Sequence, residues 1–178
     1  MLENTHINEQ WVADARNGSN AGMSSIYRQY SRQMFGICMR MLGRRDDAED
    51  VLQEAFIIAF NKIRQLDEDK NFGGWFRRIV INECIRYSKK RFHWQELDTE
   101  PEPDYAAEEE WFEDIPLEVV YEAIKQLPGG YRQVFNLFAV ENYSHREIAR
   151  MLAITESTSK SQYHKARKQL KERLLKKK

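Results

Sequence analysis

Residues 95–119 read QELDTEPEPDYAAEEEWFEDIPLEV, a stretch with eleven carboxylates, three of the chain's four prolines and no lysine or arginine. Like-charge repulsion and proline both oppose packing, so the stretch is expected to be an extended, flexible acidic linker. It divides the 178 residues into bodies of 94 and 59 residues, whose modest cores commonly gain stability by docking on a partner. The linker is either a solvated spacer or a polyanionic strip that occupies a basic channel built for nucleic acid, and Glu118 opens the helix that follows.

Taken whole, the 28 basic and 28 acidic side chains cancel, which speaks against a nucleic-acid partner. Resolved by segment the charge says the opposite. Residues 1–94 carry 15 basic and 12 acidic side chains, and residues 120–178 carry 13 and 5, so two net-basic bodies flank a polyanion.

Other classes are excluded early. The longest purely apolar run is Ala55–Phe60, against the ~18 or more residues of a membrane helix. The opening MLENTHINEQ has no apolar signal segment, so a cytoplasmic protein with no membrane insertion is expected. Cys38 and Cys84 are 46 positions apart within apolar helical patterns and are read as core thiols rather than a disulfide or metal pair. A carboxylate metal enzyme would need paired Glu-x-x-His motifs, and only Glu3-x-x-His6 fits. No Ser/His/Asp or Cys/His constellation appears, so the chain is read as a non-enzyme with no cofactor and no metal site.

Apolar residues recur at three and four positions nearly throughout, which predicts an all-α protein. Two helices are expected between Trp11 and Leu42, broken near Gly18-Ser19-Asn20, the second carrying Ile26, Tyr30, Met34, Ile37 and Met41 inward. Asp46-x-x-Glu49 has the form of a capping box opening a third helix to about Ile63. Its apolar stripe is Val51, Leu52, Ala55, Phe56, Ala59 and Ile63. Asp47, Asp50, Glu54 and Asn61 line the other side, as a solvated face or, beside Ile57, Ile58 and Phe60, a contact face for a partner.

After a loop from Asp67 to Gly74, the helix WFRRIVINECIRYSKKRF places Phe76, Ile79, Val80, Cys84 and Tyr87 on one side. Trp75, Arg78, Asn82, Arg86 and Lys89 cluster on the other. Guanidinium, ammonium and indole together suit phosphates and unpaired bases, hence partly opened DNA or RNA. Trp75 is alternatively a core residue, since a one-residue shift of the helix start turns it inward.

Near the C terminus, Leu117–Leu127 and Tyr131–Asn142 read as helices separated by Pro128-Gly129-Gly130. Ser144-x-x-Glu147 is a second capping box, opening a helix with Ile148, Met151 and Leu152 inside. A tight turn, Ala153-Ile154-Thr155, leads into a basic helix with Thr155 as N-cap and Tyr163, Ala166, Leu170 and Leu174 inward. Two short helices, a tight turn and a basic second helix make a helix-turn-helix. Thr158, Ser161, Gln162 and Lys165 are expected to face a DNA groove, flanked by Lys160, His164, Arg167, Lys168 and Lys171.

With these segments in this order, RMLGRRDDAEDVLQEAFIIAFNKI, FGGWFRRIVINECIRYSKKR, the acidic linker and LPGGYRQVFNLFAVENYSHREIARMLAITESTSKSQYHKARKQL, the chain resembles the extracytoplasmic-function class of RNA polymerase sigma factors. The resemblance covers almost the whole chain. It implies an N-terminal domain at 1–94 that binds core polymerase and the −10 element, the linker at 95–119, and a C-terminal helix-turn-helix domain at 120–178 that binds the −35 element. Asp47, Asp50, Gln53 and Glu54 would dock on the β′ clamp helices. The Asp67–Gly74 loop with Trp75, Arg78, Asn82, Arg86 and Lys89 would melt and hold the −10 region. Ser157, Thr158, Lys160, Ser161, Gln162, Lys165 and Arg167 would face the −35 element. The implied partners are core RNA polymerase through β′ and β, promoter DNA and an anti-sigma factor. A stand-alone helix-turn-helix regulator is the alternative, although no sustained heptad supplies its dimer interface.

Three positions depart from the family's usual pattern. Ala153 stands where glycine is usual and argues against a left-handed backbone there. Ser159 replaces valine on the inner face, where its hydroxyl is expected to bond back to its own helix. Gln162 replaces arginine and would favour adenine over guanine.

Overall fold

The three-and-four spacing becomes helix almost everywhere in a computed structural model that describes residues 9–66, 71–91 and 115–175. Among the described residues there are eight α-helices and no strand, and no helix is long and apolar enough to cross a membrane. The pair Glu3 and His6, loop positions 67–70, positions 92–94 and linker positions 95–114 lie outside the described residues. The described chain divides into two compact units, one from residues up to 39 and 44–84, the other from residues 40–43 and those from 85 onward.

In the first unit, α1 (Glu9–Arg16) and α2 (Asn20–Leu42) flank a turn at Gly18. The two helices approach through Gly22, where a Cβ would lie 2.8 Å from Ala15 N and 2.9 Å from Trp11 O, so any larger residue would force the backbones apart. Arg16 Nη2 donates to Leu66 O at 2.9 Å and Arg64 Nε to Arg16 O at 3.3 Å, which ties α1 to the 3₁₀ turn Ile63–Gln65. Ile26, Tyr30, Met34, Ile37 and Met41 of α2 are buried as the spacing predicts.

The helix α3 (Arg45–Lys62) buries the whole expected stripe from Val51 to Ile63, but it starts without the predicted capping box. Arg44 is the N-cap and offers no side-chain cap. Asp46 therefore falls inside the first turn, and Glu49 instead accepts from Arg45 Nε at 2.7 Å, an i,i+4 pair. The helix starts two residues earlier than the box requires, which uncouples the Asp/Glu spacing from the cap.

The helix α4 (Phe72–Arg91) begins three residues earlier than expected, with Phe72, Gly73 and Gly74 in its first turn. Its buried face is Phe72, Phe76, Val80, Ile81, Cys84, Ile85 and Ser88, while Ile79 and Tyr87 are only half-buried. In the first unit Phe72 and Phe76 join Tyr30 and Phe56 in a ring cluster, with centroids 4.6 Å apart for Phe56–Phe76 and 5.3 Å for Tyr30–Phe72. Each such pair adds about 0.5–1.5 kcal/mol beyond its burial. Burial pushes the Tyr30 phenol up to about 12.

In the second unit, α5 (Leu117–Lys125) starts from Pro116 as N-cap, so the last three residues of the stretch read as linker are helical. Pro128 caps α6 (Gly129–Phe135), which takes both glycines of the expected breaker into its first turn and continues into a π-helical segment, Asn136–Val140. Ala123, Ile124, Leu127, Tyr131, Phe135, Ala166, Leu170 and Leu174 form one apolar cluster. Truncating a buried leucine of this kind to alanine costs about 2–5 kcal/mol.

Arg132 is buried beside this cluster. Its guanidinium donates to four carbonyls, Lys125 O at 2.7 Å, Leu42 O at 2.8 Å, Met41 O at 3.3 Å and Leu127 O at 3.4 Å. Two of these are end-of-helix acceptors of α2 that would otherwise lack a helical donor. Burial lowers the Arg132 pKa. Gly43, at φ +80°, closes α2, and a Cβ there would lie 2.6 Å from Arg132 Nη1.

Candidate nucleic-acid interface

The C-terminal pair is α7 (His145–Leu152) and α8 (Glu156–Leu175). The predicted box is formed: Glu147 N donates to Ser144 Oγ at 3.3 Å, and Ser144 N donates to Glu147 Oε2 at 2.8 Å. Thr155 caps α8 by accepting from Thr158 N at 3.0 Å. Between them Ala153 adopts φ 59°, ψ 44°, the left-handed conformation that its side chain had argued against. The N–H groups of Ala153 and Ile154 both reach Ala149 O, Ile154 at 3.0 Å, and the tight turn holds the alanine in place despite its steric cost.

On α8, Ser159, Gln162, Ala166, Leu170 and Leu174 form the buried row, at steps of three and four. Gln162 is therefore corrected: it is 2% exposed and does not face a groove. At 100° per residue it lies 40° from Ala166 and 60° from Ser159, close enough to the inner row to be taken into it. The other expected contact residues keep accessible surface: Ser157 and Lys160 are exposed, and Thr158, Ser161, Lys165 and Arg167 are half-buried. Lys160 Nζ lies 3.0 Å from Glu156 Oε1, and this lysine holds the Glu156 carboxyl below its usual range. The Thr155 and Thr158 hydroxyls share a hydrogen bond at 2.8 Å, and Arg167 stands over the Tyr163 ring, 5.9 Å from its centroid. His164 and Lys171 are half-buried and Lys168 is exposed.

On α4 the expected outer row is realised. Arg78, Asn82 and Arg86, at i, i+4 and i+8, are all exposed. Trp75 falls between its two readings, half-buried with its ring 5.6 Å from Phe72. Lys89 is exposed and donates to Met151 O at 3.1 Å, so it is already engaged.

On α3, Asp50, Gln53 and Glu54 are exposed, but Asp47 is corrected to a buried position, 7% exposed, with Arg44 Nε 3.8 Å from Oδ2. It sits one turn before Val51 and is drawn to the edge of the apolar stripe. On the same helix Ile57 is 55% exposed, and Tyr27 of α2, tilted against Phe56 with ring centroids 4.7 Å apart, is 47% exposed. An acidic row with an exposed isoleucine one turn away is a surface suited to a protein partner.

Sequence reading missed His145. Its ring stacks on Phe138 at 4.2 Å and 12°, meets Tyr163 edge-on at 5.7 Å, and brings Nδ1 within 2.9 Å of Ser159 Oγ. The Ser159 hydroxyl thus bonds across to α7 rather than back along its own helix. Burial chiefly, then the Lys160 charge, lowers the His145 pKa, with Glu156 opposing. A single histidine after a cap carries no periodic signal that would have flagged it.

Comparison with known proteins assigns both halves. Residues 26–92 match the Sigma-70 region 2 family, and residues 117–170 match Sigma-70, region 4. The chain is 30% identical over 176 residues to the ECF RNA polymerase sigma factor SigW of Bacillus subtilis, covering 92% of this chain and 94% of the relative. It is 27% identical to the ECF RNA polymerase sigma factor SigE of Mycolicibacterium smegmatis, covering 89% of this chain and 65% of that one. Among solved structures, the fold is shared with the sigma factor RpoE in complex with the anti-sigma factor NepR from Bartonella quintana. That likeness has a TM-score of 0.53 at 21% identity, over 85% of this chain and 95% of the other.

Proposed function

Since the chain belongs to the extracytoplasmic-function class of RNA polymerase sigma factors, and so directs core RNA polymerase to promoters, we propose that α4 engages the −10 element and α8 the −35 element. The observation that carries this reading is the exposed row Arg78, Asn82 and Arg86 on one helix with the accessible Ser157, Lys160, Ser161, Lys165 and Arg167 on another. Guanidinium and ammonium groups neutralise phosphate, and short hydroxyls reach base edges. Extruding a base costs a few kcal/mol, which polar contacts along α4 and the half-buried face of Trp75 help return.

In this reading Asp50, Gln53 and Glu54 dock on the β′ clamp helices, with Tyr27 and Ile57 supplying the apolar part of the contact. The protein works in the cytoplasm as an initiation subunit and not as an enzyme. An anti-sigma factor is a further partner, by likeness to the Bartonella quintana protein.

The test is strand opening. With core enzyme and a promoter that this chain serves, Arg78→Ala combined with Asn82→Ala is expected to reduce permanganate-reactive thymines at −10 about tenfold or more, the scale of one or two lost charge-assisted hydrogen bonds. Binding to core should be unchanged. Wild-type opening by the double variant would remove α4 from the −10 role.

A further inference from the structure

Ser159 is completely buried. A buried hydroxyl needs a partner, and here the partner belongs to another helix: Ser159 Oγ lies 2.9 Å from His145 Nδ1. The imidazole is itself held from two further sides, face-to-face by Phe138 of the π segment and edge-on by Tyr163 of α8. Two ring contacts and the hydrogen bond thus hold it from three sides. With Nε2 protonated the hydroxyl donates to Nδ1, and with Nδ1 protonated the ring donates to the hydroxyl; both tautomers fix the same distance.

An apolar side chain at this position would fill space without setting direction. A hydrogen bond also constrains the rotation of α8 about its axis, because distance and angle must both be met. Ser159 sits in the first turns of α8, amid the residues with accessible surface at 157, 158, 160 and 161. A small rotation there displaces all of them together relative to a base edge. Recognition needs side chains held within about half an ångström, by groups whose own positions are locked.

We propose that His145 and Ser159 are a positioning pair whose cross-helix hydrogen bond orients α8 on α7 and so sets how sharply the holoenzyme discriminates among −35 sequences. This rests on α8 being the −35 reader. Neither residue touches DNA in this account; both act through the groove-facing side chains.

The experiment uses holoenzyme assembled from the full chain and core polymerase, on two promoters identical except for a matched or scrambled −35 element. The readout is the ratio of transcripts, with the melting temperature of each chain measured alongside. Ser159→Ala removes the hydroxyl, and His145→Phe keeps an aromatic ring without Nδ1. Each is expected to lower the ratio about fivefold, the scale of one neutral hydrogen bond, and the double variant should lower it no further. His145→Asn, which places an amide near the Nδ1 position, should retain more discrimination than His145→Phe. Unchanged ratios in both single variants would overturn the pair's role. So would losses that add fully in the double variant, or that follow melting temperature alone with His145→Asn no better than His145→Phe. A wild-type ratio of one would overturn the −35 reading itself and the pair's role with it.

Discussion

Ala153 shows at the scale of one residue how a turn can override a side chain. Its left-handed backbone costs an L-residue about 1–2 kcal/mol, which a glycine avoids at the expense of greater freedom in the unfolded chain. Ala153→Gly is therefore expected to stabilise the chain by about 0.5–1 kcal/mol in urea unfolding, and a loss of stability would contradict the strain. His145 gives a prediction in pH. Its folded-state pKa is lowered by burial and by Lys160 on α8, with Glu156 of the same helix opposing, so the unfolded chain binds the proton more readily. The associated stability is fully present above the unfolded value of about 6.5 and is lost as pH falls from there through the lowered folded value. Unfolding midpoints should drop across that window in the wild type and less so in His145→Phe; parallel pH profiles would exclude it. Residue-scale features of this kind were the least legible in the sequence. Nothing in the spacing of HREIARML marks His145, and Gln162 and Asp47 each lie within about 60° of an apolar row, where helical geometry leaves inward and outward nearly balanced.

At the scale of elements the sequence was far more legible, because each helix repeats its message over several turns. The α3 stripe from Val51 to Ile63 and the inward row of α2 follow from spacing alone. The two capping boxes show the limit of a four-residue signal: Ser144-x-x-Glu147 forms, whereas Asp46-x-x-Glu49 is pre-empted by a helix that starts at Arg45. The start of α4 was placed late because two consecutive glycines read as loop. They are tolerated in a first turn whose neighbours Phe72 and Phe76 are anchored in the ring cluster. The outer face of α3 carries its own prediction. Asp50→Lys reverses a charge on an exposed site between Gln53 and the acidic first turn, so the helix should remain folded by circular dichroism. Affinity for core polymerase is expected to fall about tenfold, because like charges brought together across an interface repel. Undiminished binding would remove α3 from the docking account.

At the scale of the whole molecule, the neutral total of 28 against 28 conceals two basic bodies joined by a polyanion, a partition legible from the sequence alone. In the proposed reading it separates the DNA-facing surfaces from a segment that repels DNA. The order of motifs was enough to read the architecture because each half is small and helical nearly throughout. Multi-round transcription with purified core polymerase, with and without this chain, on genomic promoter templates tests the central claim most directly. The account predicts transcripts that begin at defined promoters only when the chain is present, and that are lost when the −10 or −35 element is scrambled. No chain-dependent transcript from any template would contradict it.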